Sequence, residues 1–181
     1  MKKSACLMAL LGAFAVSSAN ADSVEITFKG AVSESTCNIK LDNGSTTLNL
    51  GTLNKNNVKK VGDHGPMVPL VFQIDGCGSE TSVTKVELIE DLTMTNRDQS
   101  DITKGVLSTD KDYVVVKLFK DATATPGQEG ISLMDGPVAI NKGGAAAIKV
   151  GYATLAASKT ADQMAAAQNI TAKAMFEVTI Q

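Results

Sequence analysis

Few residues in this chain are equipped for chemistry, and their spacing assembles little of it. There are three cysteines and one histidine. Cys6 lies in an apolar N-terminal run, which leaves Cys37, Cys77 and His64. A metal site needs more ligands than two distant cysteines and one imidazole. Glu87, Glu90 and Asp91 are close in sequence. A carboxylate pair working as acid and base needs an environment that raises one pKa, and this stretch reads as a solvated strand end. His64 sits in the polar turn Asp63-His64-Gly65-Pro66 and reads as a solvated turn residue. Met67, Met94, Met134, Met164 and Met175 share no spacing that would suit copper. No serine occupies a nucleophile elbow, and no glycine-rich loop leads into a lysine placed for phosphate. The expectation is a protein that is not an enzyme, with no cofactor and no metal.

The elements around these residues start with a leader. Met1-Lys2-Lys3 is a basic start, Ser4 to Val16 is apolar, and Ala19-Asn20-Ala21 is a small-x-small signal. This predicts a secretory signal peptide over 1–21, cut between Ala21 and Asp22. A cut after Ala15 ranks second because it leaves a very short apolar region. The run is too short to span a bilayer, which weighs against a retained anchor. What remains has the size of one ordinary domain. The chain carries a formal net charge of −2, and losing Lys2 and Lys3 makes it more acidic. A mildly acidic chain with scattered lysines does not suit nucleic acid, nor does it offer a polybasic patch for anionic lipid. Export to an oxidising compartment makes Cys37 and Cys77 an even pair. One disulfide between them is expected, against the alternative of two free buried thiols.

The rest reads as short strands and turns. Val24, Ile26 and Phe28 alternate with Glu25, Thr27 and Lys29, and Gly30 and Val32 continue the apolar face. Cys37, Ile39 and Leu41 alternate next, before the turn Asp42-Asn43-Gly44-Ser45. Thr47 to Leu50 predicts a short strand, and Thr52 to Gly65 a polar loop. Met67 to Ile74 carries Pro69, which suits an edge or a strand start better than a central strand. Cys77 falls in a turn between Gly76 and Gly78. In Val83 to Ile89 the Val86-Leu88 face is the better candidate for burial, and Asp91 to Lys104 reads as loop. Tyr113 to Phe119 is wholly β-like, as in the middle of a sandwich. Ile131 to Ile140 has room for a short strand, and Lys142-Gly143-Gly144 is a turn. Ala145 to Leu155 alternates again. Ala156 to Ala167 is alanine-rich without an apolar stripe, so it reads as a loop or a single turn rather than a helix. Regular short strands with turn signals predict a β-sandwich.

The two ends of the mature chain carry the clearest pattern. Ile170, Ala172, Ala174, Phe176, Val178 and Ile180 alternate with Thr171, Lys173, Met175, Glu177, Thr179 and Gln181. This is a strand with one buried face and one wet face. A second amphipathic strand stands at the other end. The pairing of such ends suggests a protein completed by another copy of itself, or ends that pair with each other within a single secreted sandwich.

At this point the chain resembles a known family. Phe28-Lys29-Gly30, then Val32, Cys37 and a second cysteine at Cys77, is similar to the start of a chaperone–usher pilin. Phe176-Glu177-Val178-Thr179-Ile180-Gln181 is similar to a pilin C-terminus. The resemblance is to type 1-like fimbrial subunits. Two positions depart from the family pattern: Ile180 stands where an aromatic residue is usual, and Asn169 where a glycine is.

The resemblance implies an all-β fold, an incomplete immunoglobulin-like sandwich lacking its last strand and completed by donor-strand complementation. It implies a donor extension over 22–35 and a pilin domain over 36–181. The donor face would be Val24, Ile26, Phe28, Gly30 and Val32. The acceptor groove and chaperone contact would be Ile170, Ala172, Ala174, Phe176, Val178, Ile180 and Gln181. Implied partners are other copies or related pilins, a periplasmic chaperone and an outer-membrane usher. The implied location is the cell surface, reached through the periplasm. A host glycan is a further possible partner of an adhesive subunit.

Overall fold

Eight strands, in two antiparallel sheets, carry the fold of the described residues. The computed structural model describes residues 37–41, 44–77, 82–93, 95–123, 138–140, 144–165 and 169–181. The leader, the cleavage pair Ala21 and Asp22, and the donor positions Val24, Ile26, Phe28, Gly30 and Val32 lie outside them, as do Asp42, Asn43 and Gly78. In chain order the strands are β1 (Asn38–Leu41), β2 (Val68–Asp75), β3 (Ser82–Asp91), β4 (Val106–Leu107), β5 (Val114–Phe119), β6 (Val138–Ala139), β7 (Ala146–Ala157) and β8 (Ala174–Ile180). One sheet runs β1-β2-β7-β5-β4 and the other β6-β3-β8. The architecture is an immunoglobulin-like β-sandwich.

Each sheet turns one apolar face inward. Leu70, Phe72 and Ile74 of β2, Ile148 and Val150 of β7, and Val114, Val116 and Leu118 of β5 are buried. Phe176 of β8 and Val83 and Val86 of β3 meet them in one cluster. The Phe72 and Phe176 rings pack edge to face, 5.6 Å apart at 65°. Such a pair adds about 0.5–1.5 kcal/mol beyond the area it buries. In β5 every residue but Lys117 is buried, as its continuous β-branched and aromatic run predicts. The longest strand, β7, bulges opposite Leu70 and Val71. There Gly151 is required by a close approach, because a Cβ would lie 2.4 Å from the Phe119 carbonyl oxygen.

Several elements differ from the sequence reading. Thr47 to Leu50 forms no strand, although Leu50 is buried: its apolar side chain reaches the core from a loop. β2 is an interior strand between β1 and β7. Pro69 is tolerated there because it is the strand's second residue, and β1 covers only Phe72 to Asp75. β7 runs on through Ala157, and a single 3-10 turn follows at Ala161–Gln163. The C-terminal ladder begins at Ala174 rather than Ile170. Residues 170–173 lie outside the ladder, and Thr171 and Lys173 bond instead to Leu92, Thr93 and Asp110.

Candidate functional site

β8 alternates strictly, with Ala174, Phe176, Val178 and Ile180 buried and Met175, Glu177 and Thr179 half-buried. Ile170 and Ala172 continue the buried series before it, and Gln181 is exposed after it. All six apolar positions singled out in the sequence therefore line one inner face. Among the described residues β8 is the last strand of its sheet, with β3 as its ladder partner. This makes it an edge backed by an apolar interior.

Both ends of this edge are held. At the C-terminal end, Ser82 N donates to the Gln181 carbonyl at 2.9 Å and Gln181 N donates to the Ser82 carbonyl at 2.8 Å. At the other end, Leu92 N donates to the Lys173 carbonyl at 2.7 Å, and Asp110 N to the Thr171 carbonyl at 2.9 Å. Thr171 N donates to Asp110 Oδ1 at 2.8 Å and Lys173 N to Thr93 Oγ1 at 3.0 Å. Side chains thus take the place of a strand where the regular ladder stops.

Two of the residues that hold the second end, Leu92 and Thr93, follow directly on Asp91. The ladder of β3 with β8 shifts twice, between Val83 and Lys85 and between Leu88 and Glu90. Each shift admits one extra residue and reverses the facing that follows. The first lets Val83 and Val86 both point inward. The second leaves Ile89 outside, 40% exposed, and carries Asp91 inside, 6% exposed. This corrects the reading of Asp91 as part of a solvated strand end; Glu90 beside it is exposed. The Asp91 carboxylate accepts from Ser108 N at 2.6 Å, Ser108 Oγ at 2.7 Å and Thr93 N at 2.8 Å. Burial pushes its pKa up. The hydrogen bonds from Ser108 and Thr93 outweigh that and hold it below the ordinary 3.8. Arg97 closes the loop, donating to the Thr93 and Asp91 carbonyls at 3.1 and 3.2 Å. The sequence reading missed the Asp91–Thr93 turn, for which the Asp-x-Thr spacing is a local side-chain-to-backbone signal. Ser108 has no such signal, because nothing local marks a partner seventeen positions away.

The cysteines sit on the other sheet. Cys37 and Cys77 form a disulfide with Cα atoms 4.3 Å apart, joining the start of β1 to the end of β2. Gly144, read from the sequence as a turn residue, seats it. Its carbonyl accepts from Cys77 N at 3.2 Å. Its φ is +70°, and a Cβ there would lie 2.3 Å from the Cys77 carbonyl oxygen.

His64 is half-buried rather than solvated. It bridges to Ala156 of β7, and its ring lies 6.1 Å from that of Phe119. It helps line a surface hollow of about 260 Å³ with Asn54, Asn57 and Asp63. The Asp63 carboxylate is already engaged, accepting from Lys59 N at 2.7 Å and Lys60 N at 3.0 Å. It organises its own loop. Among the described residues no three His, Cys, Asp or Glu side chains are grouped to hold a metal.

The family model described as Fimbrial protein matches residues 26–181. A comparison with curated proteins finds no match.

Proposed function

Given that the chain belongs to the fimbrial protein family, and so serves as a subunit of a cell-surface appendage assembled with other pilin subunits, we propose that it polymerises by strand donation. In this reading Val24, Ile26, Phe28, Gly30 and Val32 of one copy enter the next copy beside β8. One observation carries the reading: β8 ends its sheet among the described residues while its inner face opens on the shared core. An edge of that kind invites another strand, and strand addition supplies backbone hydrogen bonds for affinity and side-chain pockets for register. Burying four large donor side chains contributes about 6–12 kcal/mol as an upper bound.

The same reading includes export behind the 1–21 leader, a periplasmic chaperone that covers the edge before assembly, and an outer-membrane usher. Residues 22–35 act as the donor extension and 36–181 as the pilin domain. The test contrasts two neighbouring positions. Phe28→Asp places a charge on the donated apolar face and should abolish fibres seen by electron microscopy. Lys29→Asp lies on the opposite face and should reduce them only modestly. Normal fibres from Phe28→Asp would refute strand donation.

A further inference from the structure

The outer face of the β3–β8 ladder carries an opposed pair of like charges. Glu87 and Glu177 are directly across from each other, both half-buried. Like charges in that relation destabilise a sheet. Lys85 reaches Glu87 at 2.7 Å, and Arg97 lies 3.6 Å from Glu90. Among the described residues no cation is paired with Glu177, so among them this face carries one uncompensated negative charge, on the strand that ends the sheet.

We propose that Glu177 is the register contact for the incoming segment, and that its partner is Lys29 of a second copy. The proposal rests on strand donation as stated above. The odd positions of the 22–33 segment, which would share its outer face, are Ser23, Glu25, Thr27, Lys29, Ala31 and Ser33, and Lys29 is the one cation among them. An antiparallel register that sets Lys29 opposite Glu177 also sets Thr27 opposite Thr179, a favourable cross-strand pair. On the inner face it sets Gly30, which has no side chain, opposite Phe176, the bulkiest inward residue of β8. A slide of two residues places Lys29 opposite Met175 or Thr179 and crowds Phe28 or Val32 onto Phe176. A slide of one residue turns every donor side chain to the wrong face. A parallel strand with Lys29 at Glu177 sets Phe28 against Phe176. Charge and volume therefore select the same register.

The test uses the full chain in four forms: parent, Lys29→Glu, Glu177→Lys and the double exchange. Every junction of a polymer contains both positions, so the double exchange rebuilds the pair with its signs reversed. Each single change should lower the yield of detergent-resistant polymer about two- to fivefold at low salt, and the double exchange should recover most of it. The losses should shrink in high salt, where half-exposed charges are screened. Glu177→Lys relieves the repulsion with Glu87, and an unchanged urea midpoint of the mature subunit separates its loss of assembly from a folding defect. Single changes that assemble like the parent, or a double exchange no better than the worse single, would overturn the register contact. Fibres lost in Phe28→Asp alone would then leave strand donation standing, and fibres unaffected by Phe28→Asp would overturn both. Thr27→Cys with Thr179→Cys should cross-link between copies. A cross-link within one chain, or one formed instead by Thr27→Cys with Met175→Cys, would overturn the second-copy antiparallel assignment.

Discussion

Replacing Asp91 with alanine should destabilise the subunit far more than replacing Glu90, its neighbour. The alanine leaves Thr93 N and Ser108 N without the acceptor they now reach at 2.8 and 2.6 Å. Each buried donor stranded in this way costs about 1–3 kcal/mol. Removing a buried carboxylate also removes its own desolvation cost, and Ser108 Oγ can turn to another acceptor. The expected net loss is therefore about 2–4 kcal/mol. Glu90→Ala removes only a half-exposed contact to Arg97 at 3.6 Å and should cost under about 0.5 kcal/mol. Urea unfolding of the mature, disulfide-bonded subunit measures both, as a shift in midpoint at unchanged slope. The pH dependence gives a second reading. The folded pKa of Asp91 lies below its ordinary value, so its contribution is present above the unfolded value of about 3.9 and is lost as pH falls through the folded pKa. The gap between parent and Asp91→Ala should be widest near pH 7 and should narrow as pH falls through the folded pKa. Equal midpoints for Asp91→Ala and Glu90→Ala, or a gap that does not narrow in acid, would refute the buried-carboxylate account.

We predict three further outcomes. Cys37→Ser, or reduction of the 37–77 bridge, should cost about 4 kcal/mol in the chain-entropy model, seen as a lower melting temperature with reductant. Gly144→Ala should cost about 2–4 kcal/mol, because φ is +70° and the new methyl meets the Cys77 carbonyl; thermal unfolding checks it, and a neutral result would mean that the Gly144–Cys77 approach relaxes freely. Phe176→Leu should lose about 1–2 kcal/mol with the edge-to-face contact on Phe72, whereas Phe176→Asp should prevent the subunit from accumulating, measured by periplasmic immunoblot, because an unpaired charge would be buried.

The sandwich was legible because its evidence is local. Period-two alternation at 174–180, the unbroken β-like run at 114–119 and the glycine turn signals each lie within a few residues. The inward set of the last strand could be named position by position for the same reason. The bulges in β3 were not legible. Val83 to Ile89 alternates cleanly as written, and only pairing with β8 shows that two residues are looped out. The facing of Asp91 depends on the second of those bulges, and its partner Ser108 comes from across a loop. Gly144 was marked as a turn residue, yet its contact with Cys77 arises from the meeting of segments distant in sequence. Pro69 argued on local grounds for an edge or a strand start, and it stands second in β2. The sheet accommodates it in the interior because the neighbouring strand is too short to need its missing N–H.

The fastening of β8 has a consequence for assembly as well as for stability. Ordering a backbone costs about 1–2 kcal/mol per residue, so under the proposed strand donation a frayed β8 edge would add that cost to every assembly step. Here Gln181 is locked to Ser82, Lys173 to Leu92 and Thr93, and Thr171 to Asp110, while Phe176 rests on Phe72. If strands are donated as proposed, this edge is held before a partner arrives, and an entering strand bears the cost of its own ordering alone. Weakening the Asp91 cluster loosens the loop that holds one end of this edge. Asp91→Asn, which keeps one acceptor oxygen, should therefore slow assembly in subunits that remain folded, and Glu90→Gln should not. Equal assembly rates for these two variants would show that the edge does not depend on the cluster for its order.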